Sequence, residues 1–233
     1  MNTPIEGYFD RIFLVNLKRR TDRLEHALGV LAQLGISRDS VTLFEGYDKP
    51  IHDGKPNGNM GCTASHRALF EIIAYEQIPR ALILEDDFDI ACTGPDQRVK
   101  VDPQRLFESY IPELPSRWDL LYLGRHFAEM PISRRSPHVI RVARMHTTST
   151  YAITAEHARR IAPYISGVGP IDVAISGFNR ESECYCVDPT LFVQYTNMSD
   201  LSDQVDRNSN PMQDMNHIRA LDRGTVYPPP PRQ

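Results

Sequence analysis

The chain has 233 residues, 41% hydrophobic and 24% charged, with a formal net charge of -4. That length carries one sizeable core, the balance is that of an ordinary globular protein, and no basic footprint points to nucleic acid as a partner. No apolar run reaches the ~18 residues of a membrane span, no basic-then-apolar leader opens the chain, and Cys62, Cys92, Cys184 and Cys186 lack zinc-ligand spacing, which together point to a cytoplasmic protein with reduced thiols.

Residues 11–17 read as an apolar strand running into a basic loop, Lys18-Arg19-Arg20. A helix then opens at Thr21 or Asp22, either of which can cap it, with Glu25 in capping-box position. Leu24, Ala27, Leu28, Leu31 and Leu34 form its apolar stripe, and Gly35 stops it. A strand, a basic loop and a helix start make a phosphate-friendly corner, because free N–H groups, the positive helix end and arginine forks all favour anions. Residues 41–44 form a second strand, and 50–60, rich in Gly, Pro, Asn and Asp, an exposed loop. A second helix starts within 61–67, with Thr63 or Ser65 as its cap. Leu69, Phe70 and Ile73 share its apolar face with His66, whose position suits a satisfied core histidine and a ligand-binding one equally.

Ala81-Leu82-Ile83-Leu84 is too short for a helix and reads as a strand buried on both faces; it runs straight into Glu85-Asp86-Asp87-Phe88-Asp89. Alternation along an extended chain would put Glu85, Asp87 and Asp89 on one side and Asp86 on the other. Like charges this close repel by roughly 1–4 kcal/mol per pair. A divalent cation removes that cost, and carboxylates suit Mg²⁺, Mn²⁺ or Ca²⁺. The carboxyl end of a buried strand is where open α/β sheets bind ligands. Three strands separated by two helices in the first ninety residues specify a parallel sheet with covering helices.

Further on, 93–100 is a polar loop, 103–111 a short amphipathic helix, and 118–124 a buried strand. Residues 125–137 read as a mobile loop beside the site. Residues 139–142 and 151–153 form antiparallel or edge strands, and a helix follows from Thr154 to Pro163. The loop 167–172 delivers Asp172 to the start of a helix, where N-capping is the simplest role for it. Residues 183–187 and 191–193 are strands, Cys184 and Cys186 being buried on opposite faces of the first. One domain spans 1–206, and 207–233 is a polar, Pro-rich tail.

A phosphate-friendly first loop, a carboxylate cluster at a strand end and a later loop aspartate are together what a nucleotide-sugar transferase needs. A metal stabilises the diphosphate charge as the glycosidic bond breaks, and a carboxylate takes the proton of the acceptor hydroxyl. A metal-dependent phosphohydrolase would use the same carboxylates without an acceptor, and a non-catalytic binding module would need neither.

Five blocks occur in order: Val15-Asn16-Leu17-Lys18-Arg19-Arg20, Gly61-Cys62 with Ser65-His66, Leu82-Ile83-Leu84-Glu85-Asp86-Asp87, Trp118 to Gly124, and Pro170-Ile171-Asp172. They resemble glycosyltransferase family 25, which contains bacterial lipopolysaccharide glycosyltransferases and collagen β-galactosyltransferases. The resemblance, running from about residue 11 to 203, implies a GT-A-like (Rossmann-like) α/β fold, a mixed, mostly parallel sheet flanked by helices. It also implies a UDP-sugar donor, often UDP-galactose, a glycan or lipid-linked saccharide acceptor, Mn²⁺ (or Mg²⁺), and inversion at the anomeric carbon. An acceptor in a membrane would call for peripheral contact, for which no basic amphipathic helix is present. Carried over by position, Asp87 touches the metal with Asp89 helping, and Asp86 holds the donor's ribose or sugar. Asn16, Arg20 and Arg23 then lie near the nucleotide, Ser65 and His66 line the donor pocket, and Asp172 is the general base. Ser199-Asp200 resembles a late Ser-Asp pair. Gly46-Tyr47-Asp48 departs from the small residues expected there, and 125–137 matches no block, so acceptor choice is assigned to it.

Overall fold

Every second residue of the apolar segments packs to the same side, and this alternation builds two cores on one sheet. The computed structural model describes residues 2–93, 99–124, 127–167 and 169–195. The chain runs α1 (Pro4–Tyr8), β1 (Arg11–Asn16), α2 (Thr21–Gln33), β2 (Val41–Glu45), β3 (Ile51–His52), β4 (Lys55–Pro56), α3 (Gly58–Tyr75) and β5 (Ala81–Glu85). It continues through β6 (Phe88–Ile90), β7 (Cys92–Thr93), β8 (Val99–Lys100), α4 (Pro103–Tyr110), β9 (Leu120–Tyr122), β10 (Phe127–Ser136) and β11 (Val139–His146). The last described elements are β12 (Thr150–Ile153), α5 (Ala155–Ile161), α6 (Ile171–Asn179), β13 (Cys184–Val187) and β14 (Phe192–Gln194).

The central sheet has the order β10-β11-β13-β9-β12-β5-β1-β2. It is mixed, as the resemblance implies: β2, β1 and β5 are parallel neighbours, as are β13 and β9, while β12 and the β10–β11 hairpin join antiparallel. Ile12, Leu14, Leu82 and Leu84 pack with Ala27, Val30 and Leu31 of α2 on one face. Phe13 and Ile83 pack with Leu69, Phe70 and Ile73 of α3, and with α5 and α6, on the other. From β1 the chain crosses by α2 to β2 on one side, and from β2 it returns by α3, over the opposite face, to β5 on the other side of β1. That is a topological switch point, and it opens a crevice at the carboxyl ends of β1 and β5.

Several local expectations are corrected. Residues 127–136 are a strand, not a loop: β10 pairs with β11 through a bulged register around Met130 and Pro131. A proline and two arginines suit an outermost strand, where a missing N–H is harmless and charge discourages further pairing. β12 is antiparallel but central. Arg20, not Thr21 or Asp22, precedes α2, with no side-chain cap; α3 starts one turn early, capped by Asn57 accepting from Met60 N–H. Thr63 and Ser65 therefore lie inside that helix. α6 begins at Ile171 after Pro170, so Asp172 sits in its first turn rather than at its cap. Cys184 and Cys186, two residues apart on β13, share one face and one core. Residues 94–98, Ser199-Asp200 and the tail from 207 lie outside the described residues.

Candidate active site

β5 ends at Glu85 and the chain turns at once, so the expected alternation of carboxylates stops there. Asp86 and Asp87 both turn toward α2. Arg23 Nη1 donates to Asp86 Oδ1 at 2.8 Å and lies 3.3 Å from Asp87 Oδ2. Asn16 at the end of β1 donates to Asp86 Oδ2 at 2.7 Å and to the Arg20 carbonyl at 3.0 Å. Gln194 on β14 donates to Asp87 Oδ2 at 2.9 Å. Arg23, Asp86 and Asp87 are all buried, which makes this a desolvated cluster of one guanidinium between two carboxylates. Asp87 Oδ1 is buried and has no partner among the described residues. A buried carboxylate oxygen left so is costly unless a cation or donor completes it.

Glu85 faces the other way, toward α3. Its Oε1 lies 3.0 Å from His66 Nε2 and accepts from the Thr148 hydroxyl at 2.6 Å. His66 Nδ1 lies 2.7 Å from the Tyr151 hydroxyl, so an Nε2–H tautomer can donate to Glu85 and accept from Tyr151. His66 is 1% exposed, a core histidine whose one free edge is given to the carboxylate at the crevice. Ser65 receives Tyr47 N–H at 2.8 Å and donates back to the Gly61 carbonyl at 2.7 Å, fastening the 46–48 loop to α3. A Cβ on Gly61 would come within 2.5 Å of the Tyr47 carbonyl oxygen and 2.6 Å of that of Asp48, so no larger residue permits this approach.

The electrostatics follow from that packing. Burial, reinforced by Glu85 and Asp86, outweighs Arg23 and Gln194 and pushes the Asp87 carboxyl up to about 7. Burial also raises Asp86, against the pull of Arg23 and Asn16. For Glu85 the burial penalty is overcome by His66, Thr148 and Arg23, and its carboxyl is held below the usual range. Burial pushes the Cys62 thiol well up, and the carboxylates of Glu85, Asp87, Asp172 and Asp86 add to it.

One crevice is lined by Asn16, Arg23, Ser65, His66, Asp86 and Asp87, together with Glu85, Cys62, Gly46 to Lys49 and Gln194. The structure therefore brings together six of the residues singled out in the sequence. Three are not among its lining. Arg20 forks onto Asp22, donating at 2.9 and 2.8 Å. Asp89 binds its own neighbour Ile90 N–H and Lys100 Nζ at 3.2 Å. Asp172 accepts from Thr147 N–H at 3.2 Å and Val173 N–H at 2.8 Å, close enough for its charge to act on Cys62. Sequence reasoning missed Gln194 and Thr148. Neither carries a local signal, because each reaches its carboxylate only through the sheet.

Residues 9–93 match the family model described as "Glycosyltransferase family 25 (LPS biosynthesis protein)". Procollagen galactosyltransferase 1 of Danio rerio is 29% identical over 157 residues, which are 58% of this chain and 24% of that protein. Inactive glycosyltransferase 25 family member 3 of Homo sapiens is 31% identical over 142 residues, 52% of this chain and 23% of the relative. The chain thus spans about a quarter of the length of these relatives. Among solved structures, A197 from STIV aligns with a TM-score of 0.48 at 10% identity, covering 83% of this chain and 91% of the other. That likeness is too distant to carry an inference about this chain. Over residues 9–93, which hold Asn16, Arg23, His66 and the acidic run, the chain is similar to glycosyltransferase family 25.

Proposed function

We propose that the chain is a metal-dependent, inverting glycosyltransferase that moves a hexose from a UDP-sugar to a hydroxyl of a glycan acceptor. The names of its relatives favour galactose, and the family description favours a lipopolysaccharide or lipid-linked acceptor. The observation that carries the reading is the unpartnered, buried Oδ1 of Asp87 at the carboxyl end of β5. A hard carboxyl oxygen fits Mn²⁺ or Mg²⁺, which when bound would take the place of the proton on Asp87 and neutralise the departing diphosphate. Asp89, turned to Lys100, offers the ion less than Asp87 does.

The chain's own groups then divide the work. Asn16 and Arg23 each donate to Asp86, whose oxygens each keep a lone pair for a ribose or sugar hydroxyl. Arg23 keeps the pocket from becoming purely anionic and gives diphosphate a cation to approach. Tyr47, held by Ser65, presents an aromatic ring at the rim for the nucleoside. Asp172 is the general base in this reading, its carboxylate fixed by two backbone N–H groups. A reducing cytoplasm agrees with four cysteines that are all free thiols. No helix among the described residues is long and apolar enough to cross a membrane.

The test is release of UDP from UDP-galactose with and without Mn²⁺ and a glycan acceptor. Release stimulated by acceptor and by metal, and lost in Asp87→Ala, is expected. Acceptor-independent formation of UMP and galactose 1-phosphate would make the protein a phosphohydrolase; donor binding with no turnover would make it a binding module.

A further inference from the structure

Cys62 and His66 are one turn apart on α3, so both side chains project from the same stripe of the helix into the floor of the crevice. Glu85 meets them from the end of β5. One donor atom from each (a thiol sulfur, an imidazole nitrogen and a carboxylate oxygen) lies within 4.8 Å of the others. We propose that Cys62, His66 and Glu85 form a binding site for a borderline divalent cation of the zinc class, separate from the hard-cation position at Asp87.

The donor set decides the metal. Sulfur and nitrogen beside a carboxylate suit Zn²⁺ or Co²⁺, whereas Mg²⁺ and Mn²⁺ prefer oxygen alone. Zinc bonds of about 2.0–2.3 Å require donors roughly 3.5 Å apart, so from separations within 4.8 Å closing on an ion takes a contraction of up to roughly 1.3 Å. Two ligands on one rigid helix are already positioned for it. Support behind the ligands is also present: Tyr151 lies 2.7 Å from His66 Nδ1, and Thr148 holds Glu85. With an ion on Nε2, the imidazole proton sits on Nδ1 and donates to the Tyr151 oxygen, the arrangement that fixes a metal-binding histidine. The thiol gives up its proton to solvent as the Cys62–metal bond forms. The carboxylates that make that proton hard to remove are the same ones that draw in a divalent cation. Three protein ligands leave the fourth position open toward the crevice.

Co²⁺ added to the metal-free full chain at equimolar amount reports the site directly. A near-ultraviolet thiolate-to-cobalt charge-transfer band with the visible pattern of a tetrahedral ion is expected. Cys62→Ser should abolish it, whereas Cys92→Ser and Asp87→Asn should leave it. A parallel measurement needs no variant: stoichiometric Zn²⁺ should protect Cys62 of the parent chain from alkylation, read by mass spectrometry, more than it protects Cys92. No band with the parent chain, a band that survives Cys62→Ser, a band that Asp87→Asn removes, or Cys62 alkylated equally with and without zinc would each overturn the proposal. None of these readouts depends on glycosyl transfer, so the site and the proposed activity stand or fall separately.

Discussion

Asp87 is the residue at which stability and function oppose each other. Its carboxyl keeps a proton up to about pH 7 in the folded chain, against 3.8 for an ordinary aspartate. The folded state therefore binds the extra proton between these values, and ligand-free stability falls as pH rises from about 4 to about 7, staying low above. Asp87→Asn removes the buried charge while its amide oxygen still accepts from Gln194. Its melting temperature without ligand should exceed that of the parent at pH 8 and match it more closely at pH 5. The same substitution should erase the thermal shift produced by UDP with Mn²⁺; a retained shift would remove Asp87 as the ion's anchor. Asp172→Asn is expected to keep that shift and lose roughly 10²- to 10⁴-fold in transfer, the usual worth of a general base. Unchanged turnover would assign the proton to another group.

Elements are held in place here by a few close approaches. Helix α3 holds the 46–48 loop through the Ser65 hydroxyl and, at Gly61, through a close approach of backbone to backbone that the missing side chain permits. Gly61→Ala drives a methyl into two carbonyl oxygens, so it should cost about 1–3 kcal/mol in denaturant unfolding and weaken donor binding by displacing Tyr47. An unaffected variant would mean the loop is not pinned by this contact. The sequence anticipates α3 and its apolar face, because Leu69, Phe70 and Ile73 recur at helical spacing. It does not anticipate β10: Pro131, Ser133, Arg134 and Arg135 lack alternation, and the strand exists because β11 supplies the pairing. Local pattern is a sound guide where an element buries its own apolar residues, and a poor one where a neighbour lends it the bonds.

At the scale of the whole molecule, acid sensitivity is expected from a histidine far from the crevice chemistry. His157 on α5 is fully buried and accepts from Arg160 Nη2 at 2.7 Å, which only a neutral ring can do. Burial lowers its pKa to about 4, with Asp119 opposing and Arg160 adding to the shift. The unfolded chain, with an ordinary histidine near 6.5, takes up the proton first, so this contribution to stability is present above about pH 6.5 and lost as pH falls toward 4. His157→Gln keeps an acceptor without the titration. Its unfolding midpoint should fall less than that of the parent between pH 7 and 4.5; an equal fall would place the acid sensitivity elsewhere.

The sequence by itself determined the unit from β1 through α2, β2 and α3 to β5, because each of these pieces carries its own periodicity or a continuous apolar run. It also determined that an acidic run leaves the sheet at a strand's carboxyl end. Only the tertiary structure decided what each carboxylate faces. The chain turns after Glu85, so neighbours in sequence part company: Glu85 goes to His66, Asp86 and Asp87 to Arg23, and Asp89 to Lys100. Gln194 reaches Asp87 across 107 positions, and Thr148 reaches Glu85 across 63. Such contacts leave no periodic trace, since a hydrogen bond depends on where the sheet brings two side chains and not on how far apart they lie along the chain.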